Sequence, residues 1–445
     1  MTECNTQLSF EGITPLPVTV DFAGGNLTTD SGLLLVRQLE DRMGLIRDLA
    51  ACLPDRRDPA KVRHSMFELL LQRVLQIVGG YEDANDAETL RFDPALKAAV
   101  GRAPESGADL ASQPTLSRLE NAVTPAVMRR MSRVLLTHYL RHRPHPGRAI
   151  ILDLDATDDP THGQQEFSFF HGFYDQHMYH PLLCYDGASG DLISVMLRPG
   201  KAHAAAGVRR MLRPIVRQIR ACWPEVEIIV RADAGFCVPR LYRFCERHNL
   251  GYVIGLIGNQ TLKALHAPLL RQAEELFAQD QHKVRLMGEV GYRAQSWEGF
   301  RRVVMKAEVM PEGTNRRFVV TNLLAEPKEL YDFYVRRGEV ENRIKDLKLG
   351  LAVDRLSCHR FLANQMRLLL HAAAYVLMHT IRQLLGGTEL AGAQFDTIRL
   401  RLLKIGARVR QTARRIWVHL ASSYPGRELW EHLHAQLLLL TPAPS

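Results

Sequence analysis

The sequence predicts an α/β protein: a core of mixed strands and helices, interrupted by a mostly β insertion and preceded by an all-helical N-terminal region. Three observations carry that prediction. The hydrophobic period changes at the basic, proline-rich run Arg141-His142-Arg143-Pro144-His145-Pro146, from helical spacing before it to alternation after it. From there to about residue 257, strand-like and helix-like stretches follow one another. From about 258 to 326, alternating pieces dominate before helical spacing resumes. At 445 residues the chain is too long for one ordinary core. The expected division is a helical region at 1–145, a core in two parts at 146–257 and 327–390, the insertion at 258–326, and a basic C-terminal region at 391–445.

Within the first region, residues 1–30 read as extended and turn-rich, with Gly24-Gly25-Asn26 as a turn. Asp30-Ser31 opens a helix at 33–39, and a strong helix at 62–78 stops at Gly79-Gly80. A shorter helix follows at 87–100. Ser112 can cap, and Pro114 suits the first turn of, a helix running to residue 121. That helix follows a short loop, which is compatible with a helix-turn-helix-like DNA reader presenting Thr115, Ser117 and Arg118, or with an ordinary bundle turn. A helix at 125–142 completes the region.

After the linker, residues 149–155 alternate. Ile150, Leu152 and Leu154 share one face of a strand, and Asp153 and Asp155 share the other. The aliphatic run argues for a central strand, where two carboxylates on one face are costly unless a cation lies beside them. Strands at 179–185 and 192–197 flank the turn Asp186-Gly187-Ala188-Ser189-Gly190-Asp191. A helix over 204–222 carries a basic face of Arg209, Arg210, Arg213, Arg217 and Arg220. A strand at 227–231 runs into Ala232-Asp233-Ala234-Gly235-Phe236, followed by a helix at 239–248 and a strand at 252–256. This is the element order of an RNase-H-like domain, whose first three strands are antiparallel. Ligands of open sheets collect at strand ends, and here one Asp lies on the first strand and another at the end of the fourth.

The insertion reads as a helix at 262–277 and strand-like pieces at 282–286, 292–296, 302–309 and 317–323, with Trp297 suited to a packed core position. One helix is then expected over 334–348. Tyr334, Arg337, Glu341 and Lys348 fall on one side of it, so that face carries a hydroxyl, a guanidinium, a carboxylate and an ammonium. Such a face suits a metal ligand beside a polyanion; it also suits solvated pairs, Arg337 with Glu341 and Glu341 with Lys345. The tail carries Arg399, Arg401, Lys404, Arg408, Arg410, Arg414 and Arg415 against a single acid, Asp396, and alternates near 404–420. A basic hairpin is expected there, serving as a DNA-backbone contact or as a charged edge that resists aggregation.

A net charge of +9, spread over many arginines, favours folded basic surfaces and an anionic partner, nucleic acid before membrane. The seven cysteines, Cys4 among them, form no C-x-x-C pair, which fits reduced thiols and gives a structural zinc site little support. The first residues lack a signal-peptide pattern, and the most apolar helix, near 368–385, is broken by His371, His379 and Arg382. The expectation is a cytoplasmic, nucleoid-associated chain with no membrane span. No G-x-x-x-x-G-K-[ST] loop is present and no Ser/His/Asp set stands out, which argues against NTP hydrolysis and serine-type catalysis.

In an RNase-H-like sheet the positions of Asp155, Asp233 and Glu341 converge. Three clustered carboxylates repel unless a divalent cation joins them, and an oxygen-only set with open positions suits Mg²⁺ or Mn²⁺. Two such ions can activate a water or 3′-hydroxyl and stabilise a leaving oxygen. Arg337, Lys345 and Lys348 would grip neighbouring phosphates. The spacing Y-x-x-R-x-x-x-E-x-x-x-x-x-x-K at Tyr334, Arg337, Glu341 and Lys348 resembles the signature of a superfamily of bacterial insertion-sequence DDE transposases. Asp155-Ala156-Thr157 and Ala232-Asp233-Ala234-Gly235-Phe236 resemble its first and second acid motifs, and residues 152–163 and 231–236 look most like the insertion sequence 1380 family. The resemblance covers about residues 145–385 well and the N-terminal region loosely.

That resemblance implies a metal-binding catalytic triad of Asp155, Asp233 and Glu341, with Asp153 as a competing first ligand. It implies contacts of Tyr334, Arg337 and Lys348 with transposon-end DNA, and a stacking role for Trp297 where members pass through a DNA hairpin. The partners it implies are terminal inverted repeats and target DNA, engaged by a homodimer or larger assembly. A nuclease that cuts without joining, or a non-catalytic DNA-binding derivative, are the competing activities.

Overall fold

The computed structural model describes residues 7–143 and 146–442. Cys4, the residues read for a signal pattern up to residue 6, and Pro144 and His145 of the expected linker lie outside the described residues. The chain forms two compact units, one built from Met1–Leu119 with Leu377–Ser445 and the other from Glu120–Val376.

The second unit is organised by an eight-stranded mixed sheet. Its strands are β1 (Ala149–Ala156), β2 (Leu182–Asp186), β3 (Leu192–Met196), β4 (Glu227–Ala232), β5 (Gly251–Leu256), β6 (Val284–Tyr292), β7 (Arg301–Met310) and β8 (Gly313–Thr321). They lie in the order β6-β7-β8-β5-β4-β1-β2-β3. β1 pairs antiparallel with β2, and β2 with β3, while β4 lies parallel to both β1 and β5. Helices Val208–Cys222 and Pro239–Arg247 make the crossovers that parallel pairing requires. The first buries Val208, Met211, Leu212, Ile215, Val216 and Ile219 against Ile150, Leu152, Leu154, Ile228 and Val230. Its arginines stay on the opposite face, apart from Arg220, which donates to the carbonyls of Pro224, Val226 and Asn249.

Residues of the expected insertion supply the helix Gln260–Asp280 and three strands, β6 to β8, where the sequence suggested four pieces. The piece at 292–296 is not a strand. Tyr292 closes β6, and the loop after it turns Trp297 inward. These strands do not stand apart from the core: β8 pairs antiparallel with β5, so the main sheet simply continues.

The first unit corrects one expectation. The N-terminal region is not all-helical among the described residues, because short strands Leu8–Phe10, Val18–Val20 and Leu27–Thr28 precede its helices. Leu27–Thr28 takes backbone partners from Ala407–Gln411, a pairing across the length of the chain that no local pattern could reveal. The helices follow, with Met66–Gly79 held by a full capping box between Ser65 and Glu68 and ended by Gly80 at a positive φ of 87°. No helix among the described residues is long and apolar enough to cross a membrane.

Candidate active site

β1 reads Asp153-Leu154-Asp155 and its parallel neighbour β4 reads Arg231-Ala232, followed at once by Asp233. The register places Arg231 opposite Asp153 and Ala232 opposite Leu154. Asp155 and Asp233 therefore come level at the C-terminal ends of two adjacent central strands, roughly 5 Å apart in backbone spacing. Parallel sheets present their ligands at these ends.

Asp153 is sealed by Arg231. The guanidinium donates from Nε to Oδ1 at 2.6 Å and from Nη2 to Oδ2 at 2.8 Å, and neither side chain is exposed beyond 1%. Arg231 Nη1 donates to the Phe333 carbonyl at 2.7 Å, tying the helix Pro327–Val335 to the sheet. Arg343 lies 3.8 Å from the same carboxylate and donates to the Asp186 and Gly187 carbonyls. Gly187 passes so close above the pair that a Cβ there would stand 2.8 Å from Asp153 Oδ2 and 2.9 Å from Arg231 Nη2. Asp153 is thus engaged bidentately and screened from solvent, whereas Asp155 is the carboxylate that opens toward the strand ends.

The residues expected to form one helix over 334–348 form a continuous run with changing pitch. An α-helix ends at Val335, a 3₁₀ turn spans Arg336–Gly338, an α-helix spans Glu339–Lys345, and a π turn spans Asp346–Gly350. Such changes of pitch are frequent at functional sites. Arg337 Nη1 donates to Asp155 Oδ2 at 3.0 Å, and its Nη2 lies 3.5 Å from Glu341 Oε1. One guanidinium therefore links a carboxylate on the sheet to one on the helix. Asp233 accepts from the Gly235 amide at 2.9 Å, which fixes the 3₁₀ turn beginning at Ala234.

Burial pushes the Asp155 carboxyl up to about 6; Arg337 pulls it down, and the nearby Asp233 and Glu341 push it further up. Like charge felt from both acids is the electrostatic mark of a shared site. The donors are all oxygen, the set that magnesium and manganese prefer. Even so, among the described residues no three His, Cys, Asp or Glu side chains stand in position to hold a metal ion as they lie. Arg337 occupies the space between Asp155 and Glu341, and the Glu341 side chain is 63% exposed.

The sign of the Asp155 shift gives a testable stability effect. Its folded value lies above the ordinary carboxylate value, so the folded protein holds a proton through roughly pH 4 to 6 that the unfolded chain releases. In EDTA, wild type should lose stability relative to Asp155→Asn as pH rises through that window. The variant should be more stable by about 1–3 kcal/mol at pH 8, and the two should converge below about pH 4. Guanidinium unfolding at several pH values measures this, and a difference that does not vary with pH would count against a raised carboxyl.

Tyr334 packs its hydroxyl over Gly255 of β5, where a Cβ would stand 2.5 Å from it and 2.9 Å from the Ala234 amide. A glycine is required at that approach. Burial, with the nearby Asp233 adding to it, raises the Tyr334 hydroxyl above its usual range, while Arg337 pulls it down. Lys348 donates to the carbonyl and Oδ1 of Asp158, at 3.1 and 2.9 Å. Although burial opposes it, that bond holds Asp158 below the usual carboxylate range. The neighbouring Asp159 is buried, and neither of its oxygens has a hydrogen-bond partner among the described residues. Burial, with Asp354 adding to it, pushes its carboxyl well up.

Lys345 is exposed on the same run. Trp297 is 6% exposed, edge-on to Tyr242 and Tyr292 and beneath Arg301, so it packs in the core and offers no free ring to a base. Arg118 is exposed but folds back on its own helix, donating to the Pro114 carbonyl at 3.0 Å. His203 is exposed and accepts from the Ala205 amide. A cavity of about 590 Å³ adjoins Asp233, lined by Lys263, Arg316 and Arg317 together with Tyr331, Tyr334 and Arg337. The sequence reading missed these cations, and it missed Arg231. The signal for Arg231 was present: Asp-x-Asp on one strand and Arg-x-Asp on the next pair their charges when the strands run parallel in register.

Two acids thus stand level at the ends of adjacent central strands, and a third, on a late helix, is linked to the first through Arg337. The family model described as transposase DDE domain group 1 matches residues 10–442, and the chain belongs to that family. Among curated proteins none matches. Among solved structures, the cryo-EM structure of a piggyBac transposase synaptic complex with hairpin DNA is similar at 10% identity, covering 94% of this chain and 86% of that one, with a TM-score of 0.43.

Proposed function

We propose that this chain is the DDE transposase of an insertion sequence, most like the insertion sequence 1380 family. In this reading it binds terminal inverted repeats and performs metal-dependent strand cleavage and strand transfer. The observation that carries the reading is the level pairing of Asp155 and Asp233 on adjacent parallel strands, with Glu341 joined to Asp155 through Arg337. The order β3-β2-β1-β4-β5, antiparallel among the first three and parallel from β1 to β5, supports an RNase-H-like core. The flanking segments then comprise a DNA-binding region at 1–145, a basic C-terminal region at 391–445 and, at 258–326, an insertion that extends the core sheet.

Asp155, Asp233 and Glu341 would hold Mg²⁺ or Mn²⁺, which when bound supplies charge stabilisation at the scissile phosphate and activates the attacking oxygen. Asp153 is assigned to the fold, since its oxygens are taken by Arg231. Arg337 is drawn to whichever anion is nearest. In the structure that is Asp155 with Glu341; beside DNA the phosphate would compete, freeing both carboxylates for metal. Lys345, Lys348 and the cavity cations Lys263, Arg316 and Arg317 then line the path of the strand, and Tyr334, which lines the same cavity, contacts it beside Asp233. The expected working form is a homodimer or larger assembly on paired ends, in the cytoplasm.

An end-joining assay decides between the readings. Purified protein, Mg²⁺ and a duplex carrying the inverted repeats that flank the gene should yield both cut ends and products joined to a target duplex. Cut ends with no joined product would leave only a nuclease, and binding without cutting would leave a DNA-binding derivative.

A further inference from the structure

The hairpin formed by Ala407–Gln411 and Ile416–Leu420 has two unlike faces. Its register sets Arg408 opposite His419 and Arg410 opposite Trp417, so these four side chains share one face. Ala407 and Val409 point the other way and are buried, at 5% and 2% exposure. The outward face is therefore two guanidiniums, an indole and an imidazole. Trp417 is 45% exposed, stacked with His419 at 5.8 Å and covered on one side by Arg415. No acid occurs between Lys404 and Leu420.

Of the seven cations in this tail, three are engaged by partners within the chain, Arg401 at the surface. Lys404 pairs with Asp30 at 2.7 Å, Arg399 donates to the Val78 carbonyl, and Arg401 pairs with Glu389. Arg408, Arg410, Arg414 and Arg415 are exposed, and no ion pair engages them among the described residues. The ribbon is also held firmly. Gln411 exchanges hydrogen bonds with Glu105 through backbone and side chain and donates to Ser106 Oγ, while the Val409 amide donates to Asn26. A charged edge that only resisted aggregation would need neither an exposed tryptophan nor this bracing.

We propose that this hairpin face is a duplex-DNA contact of its own, laid along a groove with Arg408, Arg410, Arg414 and Arg415 on phosphates and Trp417 against the sugar–base wall. A two-stranded ribbon fits the major groove, and strands of five residues span about 17 Å, or half a helical turn. The choice of DNA as occupant rests on the transposase reading and on the charge of the face. The open edge of Ile416–Leu420 makes a second copy of the chain the competing occupant.

The test uses the full chain, a labelled 30-base-pair duplex of arbitrary sequence, and EDTA to prevent cutting. Anisotropy titrations across a salt series should give Arg408→Ala/Arg410→Ala a slope of log affinity against log salt shallower by about two, with affinity about 10-fold or more weaker. Arg408→Lys/Arg410→Lys should keep the slope. Trp417→Ala should weaken binding several-fold with the slope unchanged. Wild-type affinity and slope in the double-alanine variant would overturn the proposal. So would a wild-type dimer that Trp417→Ala dissociates in light scattering with no change in DNA affinity, since the face would then belong to a second copy. Mg²⁺-dependent cutting of a duplex bearing the flanking inverted repeats is read separately. Its absence in wild type would strike the transposase reading, while the salt slopes still decide the hairpin.

Discussion

Asp155→Asn, Asp233→Asn or Glu341→Gln should each lower strand cleavage by about three orders of magnitude or more, with binding of end DNA kept within about threefold. A thousandfold corresponds to about 4 kcal/mol of transition-state stabilisation, the scale expected when a charged ligand to a catalytic cation becomes neutral. The substitutions preserve shape, so the fold should hold. Asp155 in particular sits where ionisation already costs free energy, because burial and the two nearby acids oppose it. On the proposed function the phosphate contacts come from cations, and removing an anion beside them should not weaken that hold. Single-turnover cleavage of a labelled end in Mg²⁺, with anisotropy on the same duplex in EDTA, separates the two quantities. A variant that cuts at the wild-type rate would remove that residue from the triad.

Asp153→Ala should destabilise the fold by about 3–5 kcal/mol, because it strands the Arg231 guanidinium without its counter-ion at 1% exposure. Arg231→Met should cost a similar amount for the converse reason. The double substitution Asp153→Leu/Arg231→Met removes both charges and should recover most of the loss, since well-packed apolar side chains can replace a buried pair. On the proposed function the double variant should also retain metal-dependent cutting, because both Asp153 oxygens are taken by Arg231. Guanidinium melts of the three proteins measure the cycle. If Asp153→Ala unfolded at the wild-type midpoint, the buried pair would not be supporting the sheet. If the double variant were stable but unable to cut, Asp153 would have to be counted with the ligands.

The mixed α/β architecture was legible in the sequence because it rests on local periodicity. Ile150, Leu152 and Leu154 alternate with the acids, the helix Val208–Cys222 repeats its apolar residues at helical spacing, and Pro125–His142 has a capping Thr124. The nearness of Asp155 to Asp233 was legible too, since it needs only the order of strands and the rule that ligands gather at strand ends. The short strand Leu27–Thr28 was not, because two residues carry no period and their partner lies at the far end of the chain. The continuation of the sheet through β8 onto β5 was hidden because pairing between separate segments leaves no mark on the local period of either.

By itself, the sequence determined which residues carry charge on which face of each element: acids on β1 and after β4, and Tyr334, Arg337, Glu341 and Lys348 along one helical run. Those assignments follow from dihedral geometry within a few residues. Only the tertiary structure decided what each charge meets. Asp153 and Asp155 stand two residues apart on one strand face, so alternation alone does not tell them apart. Register against β4 gives Asp153 a buried guanidinium and leaves Asp155 level with Asp233. Arg337 and Lys348 looked free to grip phosphate, yet they reach Asp155 and Asp158 across the fold. Coulomb energy depends on distance and burial, and both are set by packing between segments far apart in the chain.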